Sequence, residues 1–144
     1  MPRLALVTGG TRGIGAGIAR ALKEAGYRVV VNYFSADAVA RDFEAASGIP
    51  VFKWDVSDFD ACKAGIEDVR RQHGAVEILI NNAGTVSDNK FENMDEAQWH
   101  RVLRVNLDSL FHMCQQVYPD MMANKWGRIV NIGSMNGQAG QLNQ

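Results

Sequence analysis

Leu4-Ala5-Leu6-Val7-Thr8-Gly9-Gly10-Thr11-Arg12-Gly13-Ile14-Gly15 decides the fold of this 144-residue chain. The first four residues form a continuous apolar run, the mark of a short strand covered on both faces. Glycines follow at once, and behind them a helical pattern opens with Ile14, Ile18 and Leu22 expected on its inward face. Glycines at a strand-to-helix turn let the backbone approach a ligand closely. The helix then presents unpaired N–H groups and a positive dipole end to a phosphate. The spacing is G-x-x-x-G-x-G rather than G-x-G-x-x-G, so placement between strand and helix carries the inference. It predicts a dinucleotide site at the first βα turn, made by Thr8, Gly9, Arg12, Gly13, Ile14 and Gly15.

Downstream the same alternation continues. Helix Gly13 to Ala25 closes on Gly26 as its C′ residue. Arg28 to Val31 reads as a second strand, Ala36 to Ala46 as a helix ending at Gly48, and Pro50 to Trp54 as a third strand. Ser57 or Asp58 caps a helix to about His73, which stops at Gly74. Val76 to Ile80 reads as the fourth strand. Asp95 to about Asn124 reads as one long helix, opened by a capping box from Asp95 to Gln98. Its expected apolar stripe is Trp99, Leu103, Leu107, Leu110 and Cys114, and Pro119 is expected to kink or break its last turns. Gly127 to Ile132 reads as the fifth strand. Strands alternating with helices imply right-handed crossovers and a parallel sheet. The expected fold is therefore α/β, a Rossmann-type doubly wound parallel sheet of order 3-2-1-4-5 in a single domain. Ligands in such sheets sit beyond the carboxyl ends of the strands.

Each chemically notable motif falls at such an end. Arg12 offers a planar guanidinium suited to a phosphate. An acid near the end of the second strand would bind a ribose 2′-hydroxyl and repel a 2′-phosphate. Here the strand runs out through Val31-Asn32-Tyr33-Phe34-Ser35, with no acid before Asp37. Arg12 and the absence of an acid at this strand end, where Asn32 is expected at the cofactor, therefore point to NADPH. Asp55-Val56 closes the third strand, where a carboxylate and a backbone edge suit an adenine ring. Asn82-Ala83-Gly84 closes the fourth, where two amides (Asn81 and Asn82) can brace a loop passing the cofactor ribose. Ser134, beyond the fifth strand, fits a hydrogen-bond donor to a developing alkoxide.

Composition excludes other classes. Lys plus Arg number 15 and Asp plus Glu 16, for a net charge of −1, which gives no electrostatic footprint for nucleic acid. No apolar run is long enough to span a membrane, and no signal-peptide pattern precedes the first strand. His73, His100 and His112 lie at no metal-ligand spacing. Cys62 and Cys114 fall in helical patterns as reduced packing residues. The expectation is a cytoplasmic protein without a metal, a membrane or a nucleic-acid partner.

Taken together, Thr8 to Gly15, Asp55-Val56, Asn81-Asn82-Ala83-Gly84, Asn106 in Val105-Asn106-Leu107, and Ile132-Gly133-Ser134 resemble the short-chain dehydrogenase/reductase family in order and spacing. Within it, Gly127 to Ser134 with Asn136-Gly137-Gln138, Gly140-Gln141 and Gln144 is most similar to reductases of 3-oxoacyl thioesters. The resemblance implies a small-molecule acyl-CoA substrate, with acyl-carrier-protein thioesters as the alternative. It implies that Ser134 is catalytic and that the Asn106 carbonyl, in a kinked helix, holds a water in a proton relay. It implies that Asp88, Gln141 and Gln144 line the acyl site and that the parent enzyme is a homotetramer. The family's Tyr-x-x-x-Lys pair is not found: Tyr27, Tyr33 and Tyr118 have no Lys four residues on. The expectation is that this pair, with the last strands and helices, lies past Gln144, and that the 144 residues alone are a nucleotide-binding fragment without turnover.

Overall fold

The computed structural model describes residues 2–143. Its five parallel strands are β1 (Leu4–Val7), β2 (Arg28–Tyr33), β3 (Val51–Lys53), β4 (Ile78–Asn81) and β5 (Arg128–Asn131). They assemble in the order β3-β2-β1-β4-β5, as the alternation predicts. β1 is central, with Leu6 in register with Val30 on one side and Leu79 on the other.

Alternation along the strands builds two apolar layers. Leu4, Leu6, Val30 and Leu79 face one way and pack with Cys62, Ile66, Val69, Met113 and Val117. These come from α3 (Phe59–His73) and α5 (Ser109–Ala123). Ala5, Val7, Val29, Val31, Ile78 and Ile80 face the other way, onto Ala16, Ala19 and Phe43. Those belong to α1 (Gly13–Glu24) and α2 (Asp37–Ser47). Leu6 is fully buried at the centre, and truncating such a residue to Ala costs about 2–5 kcal/mol.

Local signals hold at the helix ends. Gly26, with φ +88°, is the C′ residue of α1. The Gly26 N–H donates to the Lys23 carbonyl and the Tyr27 N–H to the Leu22 carbonyl, the two bonds of a Schellman motif. Asp58, not Ser57, caps α3 by accepting from the Ala61 N–H at 2.8 Å. Asp95 and Gln98 form the expected capping box of α4 (Glu96–Leu103).

Three expectations need correction. The buried face of α1 is Gly15, Ala16 and Ala19; Ile18 and Leu22 pack at its margin, and Ile14 is 69% exposed. Small residues let the helix sit close against the sheet, while Ile14, on the first turn, is free to face a ligand. The span from Asp95 to Asn124 is not one helix: α4 and α5 are separated by a π-helical turn, Arg104–Asp108. The extra residue shifts the helical phase, so the single stripe drawn across it fails. Trp99 and Leu107 are exposed, and α5 buries Ser109, Met113, Val117 and Met121 instead. Finally, α5 runs through Pro119 rather than ending there. Arg70 of α3 braces that turn, with Nε 2.8 Å from the Asp120 carboxylate and Nη2 3.2 Å from the Gln116 carbonyl.

A cleft at the carboxyl edge of the sheet

A cleft of about 570 Å³ opens where the chain crosses from β1 to its neighbours on either side. Its floor is Gly9, Arg12, Gly13, Ile14 and Gly15. One wall is the end of β2, from Asn32 to Ala36; the other is Asn82 to Thr85 with Arg101 and Val105. Trp54, Asp55 and Val56 close the side beside β3. Eleven of the twelve expected cofactor residues therefore converge on one surface. The twelfth, Thr8, lies buried beneath it.

Thr8 joins the two loops. Its Oγ accepts from the Asn82 and Ala83 N–H groups, both at 3.0 Å, and donates to the Ile80 carbonyl at 3.4 Å. In return the Asn82 side-chain amide donates to the carbonyls of Thr8 and Gly9, at 3.0 and 3.3 Å. The pair fixes the β1 and β4 loops against one another. A Cβ on Gly15 would run into the Gly9 carbonyl and the Asn82 amide, so only glycine fits there. Gly13 differs. Its φ is +54°, a Cβ there would meet nothing within 4 Å, and the residue lines the cleft. Arg12 is the N-cap of α1 but supplies no side-chain cap. The first-turn N–H groups are left for a ligand, and there is no acid in that turn to repel an anion.

Asn32 reaches the cleft wall, yet its amide serves the protein. Nδ2 donates to the Trp54 carbonyl at 2.9 Å, and Oδ1 accepts from the Gly9 N–H at 3.5 Å. It ties β2 to β3 and to the glycine loop. Asp55 accepts from the N–H and the hydroxyl of Ser57, both at 2.8 Å, which fixes the turn into α3. The Val56 carbonyl is held by His112, whose Nδ1 lies 3.0 Å away.

Asn106 sits inside the π-turn. Its side chain accepts from the Thr85 N–H and donates to the Thr85 carbonyl, both at 2.8 Å. Ser134 follows β5 at the same end of the sheet, and its Oγ accepts from the Asn136 N–H at 3.1 Å. The Asn89 N–H donates to the Asn143 carbonyl at 3.1 Å, which brings the Asp88 loop beside the segment carrying Gln141. The Gln141 Oε1 accepts from the Asn136 amide at 2.9 Å. Gln144 lies outside the described residues.

Some site residues carried no sequence signal. Arg101, which no sequence motif singles out, lines the cleft with its guanidinium 3.4 Å from the Thr85 hydroxyl. Asn131 is another: it accepts at 2.9 Å from the amide of Asn81, an Asn that the sequence does single out, across the ends of β4 and β5. His112 carries no ligand spacing, and only folding shows it holding the Val56 turn. Among the described residues, no group of three or more His, Cys, Asp or Glu could hold a metal ion. No helix there is long and apolar enough to cross a membrane.

Acetoacetyl-CoA reductase of Shinella zoogloeoides is 49% identical over 144 residues, covering the whole of this chain and 60% of the relative. The 3-oxoacyl-[acyl-carrier-protein] reductase of Staphylococcus aureus (strain MW2) is 39% identical over 150 residues, again all of this chain and 61% of the relative. A crystal structure of gluconate 5-dehydrogenase from Burkholderia cenocepacia J2315, in complex with NADP and tartrate, superposes with a TM-score of 0.87 at 34% identity. It covers 98% of this chain and 57% of that one. The chain thus spans about 60% of the length of the curated relatives it matches. The short chain dehydrogenase family profile matches residues 3–144, and the chain belongs to that family.

Proposed function

We propose that this chain is the NADPH-binding part of a reductase that converts a 3-oxoacyl thioester, acetoacetyl-CoA first, to the 3-hydroxyacyl thioester. One observation carries the cofactor assignment. Arg12 lies in the cleft floor, and the facing wall at the end of β2, Tyr33 to Ala36, contains no carboxylate. The superposed gluconate 5-dehydrogenase, which is in complex with NADP, supports the same assignment. The CoA thioester is preferred because relatives named acetoacetyl-CoA reductase are 49% and 51% identical. The carrier-protein reductases, at 39%, are the second reading.

When bound, the dinucleotide supplies hydride to the keto carbon. The protein's part is positioning and electrostatics. The α1 N-terminus and the glycine loop take the pyrophosphate, and the exposed Ile14 lies against the dinucleotide. Arg12 pairs with the 2′-phosphate. Asp55 and Val56 meet the adenine, and Ala83 and Gly84 pass the ribose. Ser134 donates a hydrogen bond to the substrate oxygen, and Asp88 and Gln141 border the acyl group, with Gln144 alongside. The π-turn diverts backbone carbonyls from regular helical pairing, which suits the Asn106 carbonyl to hold a water. The proton donor is a Tyr-x-x-x-Lys pair that residues 1–144 do not contain. The assembled enzyme is a cytoplasmic homotetramer.

The test is NADPH oxidation by the intact protein with acetoacetyl-CoA and with an acetoacetyl carrier protein, alongside NADPH and NADH titrations. Turnover with the CoA thioester, reduced about 10²-fold or more by Ser134→Ala, is expected. Residues 1–144 alone should bind NADPH without oxidising it. Failure of the intact protein to bind either dinucleotide overturns the reading. Faster turnover of the carrier-protein thioester selects the second reading.

A further inference from the structure

The first acid after β2 is Asp37, and it is tied down. In the parallel pairing of β2 with β3, Tyr33 stands opposite Lys53. Lys53 reaches across the end of that pair, with Nζ 2.8 Å from Asp37 Oδ1 and 3.0 Å from Oδ2. The Tyr33 side chain hydrogen-bonds the same carboxylate, and Arg41, one helical turn on, adds a second positive charge. The Lys53 bond foremost, then Tyr33 and these charges, hold the Asp37 carboxyl below its ordinary range. Asp37 is also the first residue of α2, where the helix dipole favours an anion. Immediately before it, Ala36 lines the cleft with a left-handed backbone, φ +66° and ψ +57°. A non-glycine residue adopts that conformation at a cost, and here it marks the corner where the cleft wall turns into α2.

A carboxylate at this address has two uses. Directed into the cleft, it accepts a ribose 2′-hydroxyl and repels a 2′-phosphate. Held by a lysine on the sheet edge, it does neither. We propose that Lys53 is a specificity-determining residue: by clamping the Asp37 carboxylate on the β2–β3 edge, it keeps from the cleft an acid that would otherwise favour the unphosphorylated dinucleotide. This rests on the cofactor assignment above and adds a second determinant to Arg12, one that acts through another residue rather than on the ligand.

A double-mutant cycle in the intact protein tests it. Dissociation constants for NADPH and NADH are measured for wild type, Lys53→Gln, Asp37→Asn and the double variant. Lys53→Gln should lower the NADPH-to-NADH affinity ratio about fivefold, with tighter NADH binding as part of the change, and less so at high salt. In the Asp37→Asn background the same substitution should change the ratio by less than about twofold. An equal drop in both backgrounds would mean that Lys53 acts on the phosphate by its own charge, which overturns the proposal. An unchanged ratio in Lys53→Gln does so too. Carboxyl-carbon NMR gives a readout independent of any nucleotide: the Asp37 pKa should rise in Lys53→Gln, and no rise removes the clamp. A wild type that binds neither dinucleotide defeats the cofactor assignment and this proposal together. A wild type that prefers NADPH, with Lys53→Gln preferring it equally, defeats this proposal alone.

Discussion

The side chain of Asn106 and the backbone of Thr85 form a reciprocal pair, each donating one hydrogen bond and accepting one at 2.8 Å. An amide is the side chain that can do both at one peptide unit. The pair ties the π-turn between α4 and α5 to the loop that borders the cleft. Asn106→Ala should cost about 1–2 kcal/mol, since two hydrogen bonds are lost at an exposed position. The effect should be local, with the Thr85 amide exchanging hydrogen faster while β1 amides remain protected. Thermal melts combined with residue-resolved exchange check both parts.

Two glycines of one loop should fail differently. Gly15→Ala drives a methyl group into the Gly9 carbonyl and the Asn82 amide, so the loop pair opens and stability falls along with NADPH binding. Gly13→Val meets no protein atom within 4 Å of its Cβ and carries only the strain of φ +54°, about 1–2 kcal/mol. Gly13 itself lines the cleft, so the added branches should obstruct the dinucleotide. Gly13→Val should therefore fold and lose NADPH affinity, whereas Gly15→Ala should lose both. Denaturant melts and fluorescence titration on the two variants distinguish these outcomes.

Arg12→Ala removes the cation of the cleft floor. The expected loss is about 1.5–3 kcal/mol of NADPH binding, or roughly tenfold to a hundredfold, with little change for NADH. Titration of both cofactors reads the ratio. Equal losses for the two would assign Arg12 to the pyrophosphate or to the turn itself.

Cys62 predicts a pH dependence. Burial, then the negative charges of Asp55 and Asp58, pushes its thiol from 9.0 up to about 12. The folded state holds the proton that the unfolded chain releases, so unfolding becomes easier as pH rises. This contribution is fully present below pH 9.0 and is lost between there and about 12. The slope within that window is about 1.4 kcal/mol per pH unit. Urea melts at rising alkaline pH should show a shallower decline for Cys62→Ala than for wild type.

The helix ends at Gly26 and Asp58 and the capping box at Asp95 were legible because each rests on contacts within a few residues, and the sheet order because alternating strands and helices with right-handed crossovers leave few topologies. The candidate cofactor loops had an address in the sequence, since Gly9 to Gly15, Asp55 and Asn82 follow strands that the alternation places, whereas the reading of Asn106 came from the family resemblance alone. What could not be read depends on partners distant in sequence. Asn32 bonds to Trp54 and Gly9, His112 to Val56, and Lys53 to Asp37. The outward turn of Ile14 reverses an apolar pattern, because burial was the default for such a residue and the cleft was not yet in view. The π-turn escaped because hydrophobic periodicity assumes one unbroken helical phase.

That turn also sets how α5 is dialled. Each residue of a helix rotates the following ones by about 100°, so the widened turn at Arg104–Asp108 fixes which side of α5 meets the sheet. Deleting one residue there would restore regular winding and improve the local hydrogen-bond pattern, yet it would swing Met113, Val117 and Met121 out of the core. The segment is thus one in which better helical regularity should yield a worse protein. Shortening by one residue should be tolerated far less than substitution at Leu107, which is 58% exposed. A deletion scan across α4 and α5, scored by soluble yield and melting temperature, would show a minimum at this turn. Any lineage that lost a residue here would need a compensating insertion before Met113 to keep the same gearing.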